Sequence, residues 1–303
     1  MFQPELHTEN YWTVQSMIPQ KGTAFLYYIL EDLIIETNCS FLMRARDIRD
    51  NTEKVVKFVK FKNEHKERYL NEVNIMKMID HPNIIKLEYS SLNLPYLLIV
   101  TKYAKYQNLV DYTRDNYPYG MPEYLARKIM KQMLESIDYL HKRNIRHRDI
   151  KPQNFLVFQR EPNIQVALSD FGFAKEYIFN EKGTEYVGTE AFAPPEIHLH
   201  HPYTNSVDIW PLGITLYFLL TCQFAFRNFS GRFALIKKII RGLLNYKLLQ
   251  NKGISPNAIK MIRQMCKIKP EARLTAEQLL KQPWMTNEEL IVSSENENCF
   301  KVH

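Results

Sequence analysis

Short runs of apolar and β-branched residues dominate the first third of the chain. Runs rich in Val, Ile, Tyr and Phe that are bounded by polar turn residues are typical of strands. Asp50 and Asn51 give a turn signal between two of these runs. The pattern therefore predicts a β-rich unit. Its strands are expected at YYILEDLIIET (27–37), FLMRAR (41–46), KVVKFV (54–59) and YLLIVTKY (96–103).

Helical periodicity follows. NEHKERYLNEVNIMKMID (63–80) predicts one helix beside the strands, which Pro82 prevents from continuing. Beyond residue 105 helices dominate, and Pro122 is placed to open a long one. Its buried face is expected to carry Leu125, Ile129, Met133, Ile137 and Leu140, which recur every three or four residues. Later helices are expected at 207–222, 231–241, 255–266 and 275–281.

Length and composition fit a cytosolic or nuclear protein of more than one lobe. The chain has 303 residues, of which 45% are hydrophobic, and single cores stop growing near ~250–300 residues. Four widely spaced cysteines favour reduced thiols. The polar N-terminus does not resemble a signal peptide. The most apolar run, 212–226, is too short for a membrane span, which needs about 20 residues.

The formal net charge of +7 raises the possibility of nucleic-acid binding. The lysines and arginines are, however, spread along the chain and match no known nucleic-acid module. We therefore favour a solvated basic surface and expect no nucleic-acid partner.

Two short segments of the helical lobe concentrate charged and amide side chains. They are RHRDIKPQN (146–154) and SDFGFAK (169–175). Magnesium-dependent phosphoryl transfer requires a carboxylate that orients the attacking hydroxyl, oxygen ligands for Mg²⁺ and a cation that offsets the moving charge. The two segments together contain all of these groups.

In these segments the chain resembles a eukaryotic protein kinase catalytic domain of the serine/threonine type. The resemblance runs from Tyr28 to Met285, and its motifs occur in the family's order. DFGFAK and the ending RxTAxxxLxxxPWM are most similar to the calmodulin-dependent and AMP-activated group. The motifs are HRD at 147–149, DFG at 170–172, GTEAFAPPE at 188–196, DIWPLG at 208–213 and QPWM at 282–285.

The resemblance implies an α+β, bilobal kinase fold with a small antiparallel β-rich N-lobe and a larger helical C-lobe. Its boundaries would be an N-terminal extension at 1–27, the N-lobe at 28–104, the C-lobe at 105–285 and a polar tail at 286–303. It also implies ATP and Mg²⁺ as cofactors and protein substrates phosphorylated on Ser or Thr. An upstream activating kinase is a further expectation, and a cytoplasmic location is favoured over a nuclear one.

The family's catalytic roles carry over to six residues. Asp149 would be the catalytic base and Lys151 the phosphate-neutralising cation, while Asn154 and Asp170 would hold Mg²⁺. Lys57 would anchor the nucleotide, with Lys60 as the competing candidate, and Glu72 would pair with that lysine. His147 is expected to act as a packing residue.

The stretch IETNCSFLMRA (35–45) departs from the family, because its phosphate-covering hairpin contains no glycine. Ile35, Thr37 and Ser40 stand where the three glycines belong, and Leu42 stands for the valine that follows. Glycine lets backbone approach phosphates closely, so side chains here are expected to lower nucleotide affinity. The hydroxyl groups of Thr37 and Ser40 could compensate in part. The alternative function is a pseudokinase scaffold with weak or no catalysis.

The resemblance also implies which other residues line the nucleotide. Val55 would lie over the adenine, and Asn108 replaces an acidic residue often found beside the ribose. The remaining lining positions would be Thr101, Lys102, Tyr103, Ala104 and Leu156.

Glu185 occupies the position where the family often accepts an activating phosphate. Arg148 and Lys175 stand where the family binds that phosphate. We therefore interpret Glu185 as a fixed and weaker stand-in for it. Thr184 and Tyr186 are alternative phosphorylation sites, and a simply solvated Glu185 is the competing interpretation.

Overall fold

The computed structural model describes residues 19–62, 66–93, 95–226 and 231–286. These residues form two compact units. The smaller comprises the described residues up to 80 together with 85–103, and the larger comprises 81–84 and the residues from 104 onward. The predicted tail beyond residue 286 and most of the predicted N-terminal extension lie outside the described residues, as do residues 63–65 at the start of the first predicted helix.

The smaller unit is a six-stranded antiparallel sheet with one helix. Its elements are β1 Ala24–Phe25, β2 Tyr28–Glu36, β3 Ser40–Asp47, β4 Glu53–Lys60, α1 Lys66–Met78, β5 Leu87–Asn93 and β6 Tyr96–Lys102. The strand order is β1-β2-β3-β4-β6-β5. Alternate residues of β3 are buried, which is the period-2 pattern expected when one face covers a core.

Aromatic rings fill the core of this sheet. Phe41 stacks on Phe58 with ring centroids 4.5 Å apart, and Tyr96 meets Phe41 edge-on at 5.4 Å. Such offset and edge-to-face pairs add to the stabilisation from burial alone. The four strands predicted from the sequence are confirmed, whereas β1 and β5 were missed.

The larger unit is mainly helical, as predicted. The five predicted helices are found at 123–141, 209–221, 232–240, 256–265 and 276–280, whereas the other helices and the short strands of the described residues were not predicted. None of the helices in the described parts of the chain combines the length and hydropathy needed to cross a bilayer. The elements are α2 Leu109–Asn116, α3 Glu123–His141, β7 Ile145–Arg146, β8 Phe155–Gln159, β9 Gln165–Leu168, β10 Lys175–Glu176, α4 Pro195–His198, α5 Ile209–Thr221, α6 Arg232–Ile240, α7 Tyr246–Asn251, α8 Pro256–Met265, α9 Ala276–Leu280 and α10 Pro283–Thr286.

The long helix α3 buries the face that its periodicity predicted. Leu125, Ile129, Met133, Ile137 and Leu140 are all fully buried. The predicted start is off by one position, because Pro122 is the N-cap residue and the helix begins at Glu123. The prediction of α3 is therefore correct in its extent and its buried face.

Helix α5 is buried along its whole length, from Ile209 to Thr221. It carries a proline, Pro211, at its third position. The first turn of a helix needs no backbone donors for its own hydrogen bonds, so a proline there removes none. The apolar run at 212–226 thus belongs to a core helix and the turn that follows it.

A buried ion pair connects α4 to the segment before α9. Arg273 donates to both carboxylate oxygens of Glu196, at 2.6 and 2.7 Å. Arg273 also donates to the backbone carbonyl of Lys267 at 2.8 Å, so the buried charge has several partners.

Candidate active site

The loop that carries the HRD motif leaves β7 at Arg146 and enters a 3-10 turn at Pro152–Asn154; we call residues 147–154 the catalytic loop, after the role that the resemblance implies. Asp149 lies in this loop and is 5% exposed. One oxygen, Oδ1, accepts from the backbone N–H and the hydroxyl of Thr189, both at 2.7 Å. The other oxygen, Oδ2, accepts from the Lys151 ammonium at 2.7 Å. The buried carboxylate is therefore hydrogen-bonded on both sides, which offsets the cost of removing it from water.

Thr189 completes this arrangement and was not among the predicted site residues. Its hydroxyl accepts from Lys151 Nζ at 2.7 Å while donating to Asp149, so it bridges the lysine and the carboxylate. The threonine follows Gly188 in the GTE sequence of the matched segment 188–196. The GTE motif was the signal for Thr189 in the sequence, because a turn at Gly188 fixes the position of the hydroxyl that follows it.

Gly188 makes the close approach possible. Its φ is +97°, which side chains rarely adopt, and a Cβ here would lie 2.4 Å from the Arg148 carbonyl oxygen. Glycine at this position therefore allows the 188–189 backbone to reach the catalytic loop.

Asn154 ties the catalytic loop to the DFG segment. Its side-chain Nδ2 donates to the backbone carbonyl of Asp149 at 2.8 Å. The backbone carbonyl of Asn154 accepts from the backbone N–H and the hydroxyl of Ser169, at 2.8 and 2.9 Å. Ser169 immediately precedes Asp170 in the chain, so Asn154 and Asp170 lie on two segments that are bonded together.

Asp170 adopts a left-handed backbone conformation with φ of 61° and has an exposed side chain. Such a conformation costs a non-glycine residue of the order of 1 kcal/mol and persists only where the surroundings impose it. The next residue, Phe171, is fully buried and meets the His147 ring edge-on at 5.1 Å. Burial of Phe171 thus fixes where the chain turns at Asp170.

His147 is a packing residue, as expected. It is fully buried, and its Nε2 lies 3.1 Å from the Ser169 carbonyl oxygen. A carbonyl only accepts, so Nε2 carries the proton and donates. Its Nδ1 accepts from the Asp149 backbone N–H at 3.3 Å. Both ring nitrogens are therefore engaged by backbone groups.

A second buried carboxylate, Asp208, binds the backbone of the same loop. It accepts from the backbone N–H groups of His147 and Arg148, at 2.9 and 2.8 Å, and from His141 Nε2 at 2.9 Å. Burial acts to raise the pKa of Asp208, but these hydrogen bonds and the neighbouring histidines lower the pKa below its ordinary value. Asp208 therefore remains ionised.

In the smaller unit, Glu72 pairs with Lys57 and not with the competing candidate Lys60. Lys57 Nζ donates to Glu72 Oε1 at 3.1 Å. Lys57 lies on β4, whereas Glu72 is buried on α1. A buried carboxylate without a partner would be costly, so this pair also fixes α1 against the sheet. The role of Lys57 toward a nucleotide stays a prediction.

The glycine-free hairpin joins β2 to β3, with Ile35 opposite Leu42. Its tip closes on itself. Thr37 N–H donates to the Ser40 carbonyl at 2.8 Å, and Ser40 N–H donates to the Thr37 hydroxyl at 3.0 Å. The two side-chain hydroxyls lie 3.1 Å apart. The backbone donors of Thr37 and Ser40 are therefore already used within the hairpin.

The other predicted lining residues divide between the two units. Val55 and Thr101 are cross-strand partners in the small sheet. Asn108 caps α2, since its side-chain oxygen accepts from the N–H groups of Val110 and Asp111 at 2.9 and 3.2 Å. Their roles toward a nucleotide stay predictions. Of the rest, Lys102 and Tyr103 belong to the smaller unit, and Ala104 and Leu156 belong to the larger unit.

Glu185 is held by the two cations that the sequence predicted. Lys175 Nζ lies 2.6 Å from its Oε1, and Arg148 lies 3.2 Å from its Oε2. The hydroxyls of Tyr177 and Tyr203 also point to Oε2, at 3.5 and 3.3 Å. Burial acts to raise the pKa of Glu185, but the Lys175 hydrogen bond and the Arg148 charge lower the pKa to about 2. The simply solvated Glu185 is therefore excluded.

This geometry predicts a pH-dependent contribution of Glu185 to stability. A carboxylate whose folded-state pKa lies near 2, against an ordinary value of 4.5, stabilises the fold fully above pH 4.5 and loses that contribution as pH falls toward 2. Because the Glu185 side chain is 40% exposed, we expect only about 1 kcal/mol at pH 7 for Glu185→Gln. Urea unfolding at pH 7 and pH 3 measures the difference.

The matched control is Glu176→Gln, which removes a charge from an exposed glutamate of the same segment. Its effect should be small at both pH values. A Glu185→Gln effect that is equally large at pH 3 would contradict an origin in the ionised carboxylate.

Comparison with known proteins adds independent findings. The sequence model of the protein kinase domain matches residues 37–285. Calcium-dependent protein kinase 4 of Plasmodium berghei is 33% identical over 238 residues, which cover 77% of this chain and 43% of that kinase. Calcium/calmodulin-dependent protein kinase type II of Caenorhabditis elegans is 34% identical over 74% of this chain and 31% of its own length.

A third relative is the serine/threonine-protein kinase cds1 of Schizosaccharomyces pombe. It is 32% identical over 227 residues, which cover 72% of this chain and 48% of the relative. The chain thus spans less than half the length of these three relatives.

Proposed function

This chain belongs to the protein kinase domain family, and on that premise we propose that it transfers the γ-phosphoryl group of ATP to serine or threonine hydroxyls of proteins. The expected resemblance to the calmodulin-dependent group is confirmed by the names of its relatives. The observation that carries the proposal is the buried Asp149 carboxylate with Lys151 and Thr189 on its two sides.

In the proposed reaction, Asp149 accepts a hydrogen bond from the attacking hydroxyl and orients it. Phosphoryl transfer needs positioning and charge stabilisation more than a strong base. A carboxylate held by Thr189 and Lys151 keeps its orientation without reorganising during the reaction. Lys151 would in addition offset negative charge on the moving phosphoryl group.

Asn154 and Asp170 would hold Mg²⁺, which neutralises phosphate charge when bound. Both offer oxygen donors, which magnesium prefers. The fit is supported by Asn154, whose Nδ2 is committed to the Asp149 carbonyl so that its Oδ1 is left to accept. Lys57, held by Glu72, would bind the nucleotide phosphates in the smaller unit.

We further propose that Glu185 substitutes for an activating phosphate on this segment. Its four partners come from the catalytic loop, from the segment after Asp170 and from Tyr203. A phosphate would carry up to about twice the charge of a carboxylate, so Glu185 orders the segment less strongly. Full phosphorylation at Thr184 or Tyr186 is then unnecessary for basal activity.

Unphosphorylated Glu185→Ala protein should accordingly lose most of its kinase activity, by about tenfold, because Arg148 and Lys175 lose their shared partner. Initial rates with a generic serine peptide measure this, with Glu176→Ala as the matched control. Unchanged activity in Glu185→Ala would contradict the proposal.

The second candidate function is a pseudokinase scaffold, and the closed hairpin tip is the observation that favours it. Backbone donors that would face phosphates are paired within the hairpin at Thr37 and Ser40. We place this function second because Lys57, Glu72, Asp149, Asn154 and Asp170 are all present.

The deciding experiment is the melting temperature with and without millimolar Mg·ATP. A ligand that binds only folded protein adds about 2.7 kcal/mol at 100 times its dissociation constant, which is a visible rise. We expect a magnesium-dependent rise in the wild type and its loss in Asp170→Asn. Asp115→Asn, the same change at an exposed site on α2, is the control and should keep the rise. No rise in the wild type would leave the scaffold as the function.

Restoring glycine to the hairpin tests why its tip matters. Thr37→Gly removes the hydroxyl that binds the Ser40 amide, and Ser40→Gly removes the second side chain. We expect the double variant to bind Mg·ATP about tenfold more tightly, because the Ser40 N–H loses its side-chain acceptor and the space of both side chains becomes available to phosphate. Titration calorimetry measures the dissociation constant.

Asn38→Gly is the matched control for this titration, since it adds backbone freedom to the same turn without removing either hydroxyl. An equal gain in Asn38→Gly would show that flexibility, and not the freed donors, limits nucleotide binding.

A further inference from the structure

The excess positive charge of this chain is concentrated in one segment. Residues 209–270 contain eleven lysines and arginines and no aspartate or glutamate. With 33 acidic residues in 303, about seven would be expected in a segment of this length. Outside the segment, acidic residues outnumber basic ones. The lysines and arginines are spread along the chain as expected, but the acidic residues are not, and their absence here leaves this segment with the net positive charge.

The fold brings much of this segment onto one surface. Gly242, after α6, packs against Ile268, since a Cβ at Gly242 would lie 3.0 Å from Ile268 Cγ1. This contact places Arg241 beside the pair Lys267 and Lys269. Farther along, the guanidinium of Arg263 on α8 lies 4.2 Å from the ring centroid of Tyr246, which opens α7 and precedes Lys247. We call Arg241, Lys247, Arg263, Lys267 and Lys269 the basic face.

The cations of the basic face are exposed and carry no ion pair within the described ranges. Cations elsewhere in the larger unit do find carboxylates. Arg232 pairs with Glu190, and the exposed Lys281 pairs with Glu277. Like charges held together without counter-charges repel one another and destabilise the folded state. An acidic partner would remove that repulsion.

Aliphatic side chains lie among these cations. Leu243 is 56% exposed and Ile268 is 48% exposed. Ile268 and Lys269 also line a cavity of about 450 Å³, whose wall includes the apolar Leu199 and Pro202 beside the charged Lys182 and Glu271. The surface therefore offers exposed cations together with a concave site of mixed polarity.

We propose that the basic face binds an acidic segment of a partner protein that carries an aliphatic residue. Its carboxylates pair with Lys267, Lys269 and Arg241, and its aliphatic side chain packs on Ile268 toward the cavity. Charge complementarity speeds the encounter and selects acidic sequences, while apolar burial slows dissociation. The proposal does not depend on catalysis by this chain.

The composition of the surface favours a protein over other polyanions. Nucleic-acid surfaces present exposed aromatic rings that stack on bases, whereas Tyr246 is only half-exposed and already contacts Arg263, and the exposed apolar residues of the basic face are Leu243 and Ile268. A membrane surface is met by apolar side chains that project outward. Ile268 instead lines a cavity, which admits a side chain and not a bilayer.

The test is fluorescence anisotropy with a labelled twelve-residue peptide of alternating Glu and Leu. We expect binding that weakens as salt shortens the range of the charges. Lys267→Glu with Lys269→Glu should weaken it at least about tenfold. Lys77→Glu with Lys131→Glu, two exposed lysines outside the basic face, changes the net charge equally and should leave binding unchanged. Equal loss in both double variants would overturn the proposal.

Further measurements test the apolar contact and the competing polyanions separately. Ile268→Ser should weaken peptide binding at constant charge, and a Gln-for-Glu peptide should not bind. If duplex DNA or vesicles of anionic phospholipid bind the basic face and the Glu-Leu peptide does not, the proposal is wrong. Loss of the Mg·ATP-dependent rise in melting temperature would bear only on the proposed kinase function.

Discussion

The buried carboxylate of Asp208 is the constraint on which the catalytic loop depends. It receives two consecutive backbone N–H groups, from His147 and Arg148, and the imidazole of His141. Arg148 has a left-handed backbone with φ of 65°, which a non-glycine residue adopts only when held there. The Asp208 hydrogen bonds supply that hold. They set the direction in which the next residue, Asp149, presents its carboxylate, so an ionised group in the core fixes the geometry of the residue proposed to orient the substrate hydroxyl.

Arg148 extends the same constraint to the segment after Asp170. Its backbone is bound by Asp208, while its guanidinium donates to the Phe173 carbonyl at 2.7 Å and reaches Glu185 at 3.2 Å. The position of Glu185 is thereby coupled to the catalytic loop through one side chain. A charge change at residue 185 is therefore expected to reach the loop that carries Asp149 through Arg148, while the pKa of Glu185, which burial acts to raise, is lowered mainly by the Lys175 hydrogen bond and in smaller part by the Arg148 charge.

Periodicity and motif order predicted the elements well, because α3 and β3 each bury one continuous face. They failed where structure depends on single contacts between distant residues. The two-residue strand β1 carries too little pattern to detect, and Thr189 reaches Asp149 across 40 positions of sequence. The closed hairpin tip was not predicted either, because hydroxyl chemistry at Thr37 indicates possible donors but not which partner they choose. The net positive charge of the 209–270 segment follows from the sequence, but only once the lack of aspartate and glutamate in that segment is noticed.

The hairpin lowers the expected kinase activity, whereas the catalytic loop supports it. The sizes of these two effects decide the outcome. A backbone donor that is bonded within the hairpin cannot bond a ligand. Each hydrogen bond that the ligand lacks for this reason weakens its binding by roughly 0.5–1.5 kcal/mol. Charge-assisted contacts such as those expected from Lys57 are about twice as strong as neutral ones, and they act in sites shielded from water. Under the proposed function, two lost donors at Thr37 and Ser40 would therefore weaken nucleotide binding by about one to two orders of magnitude. The charged side chains that would stabilise transfer are unaffected, so a slow enzyme is a better-supported hypothesis than an inert scaffold.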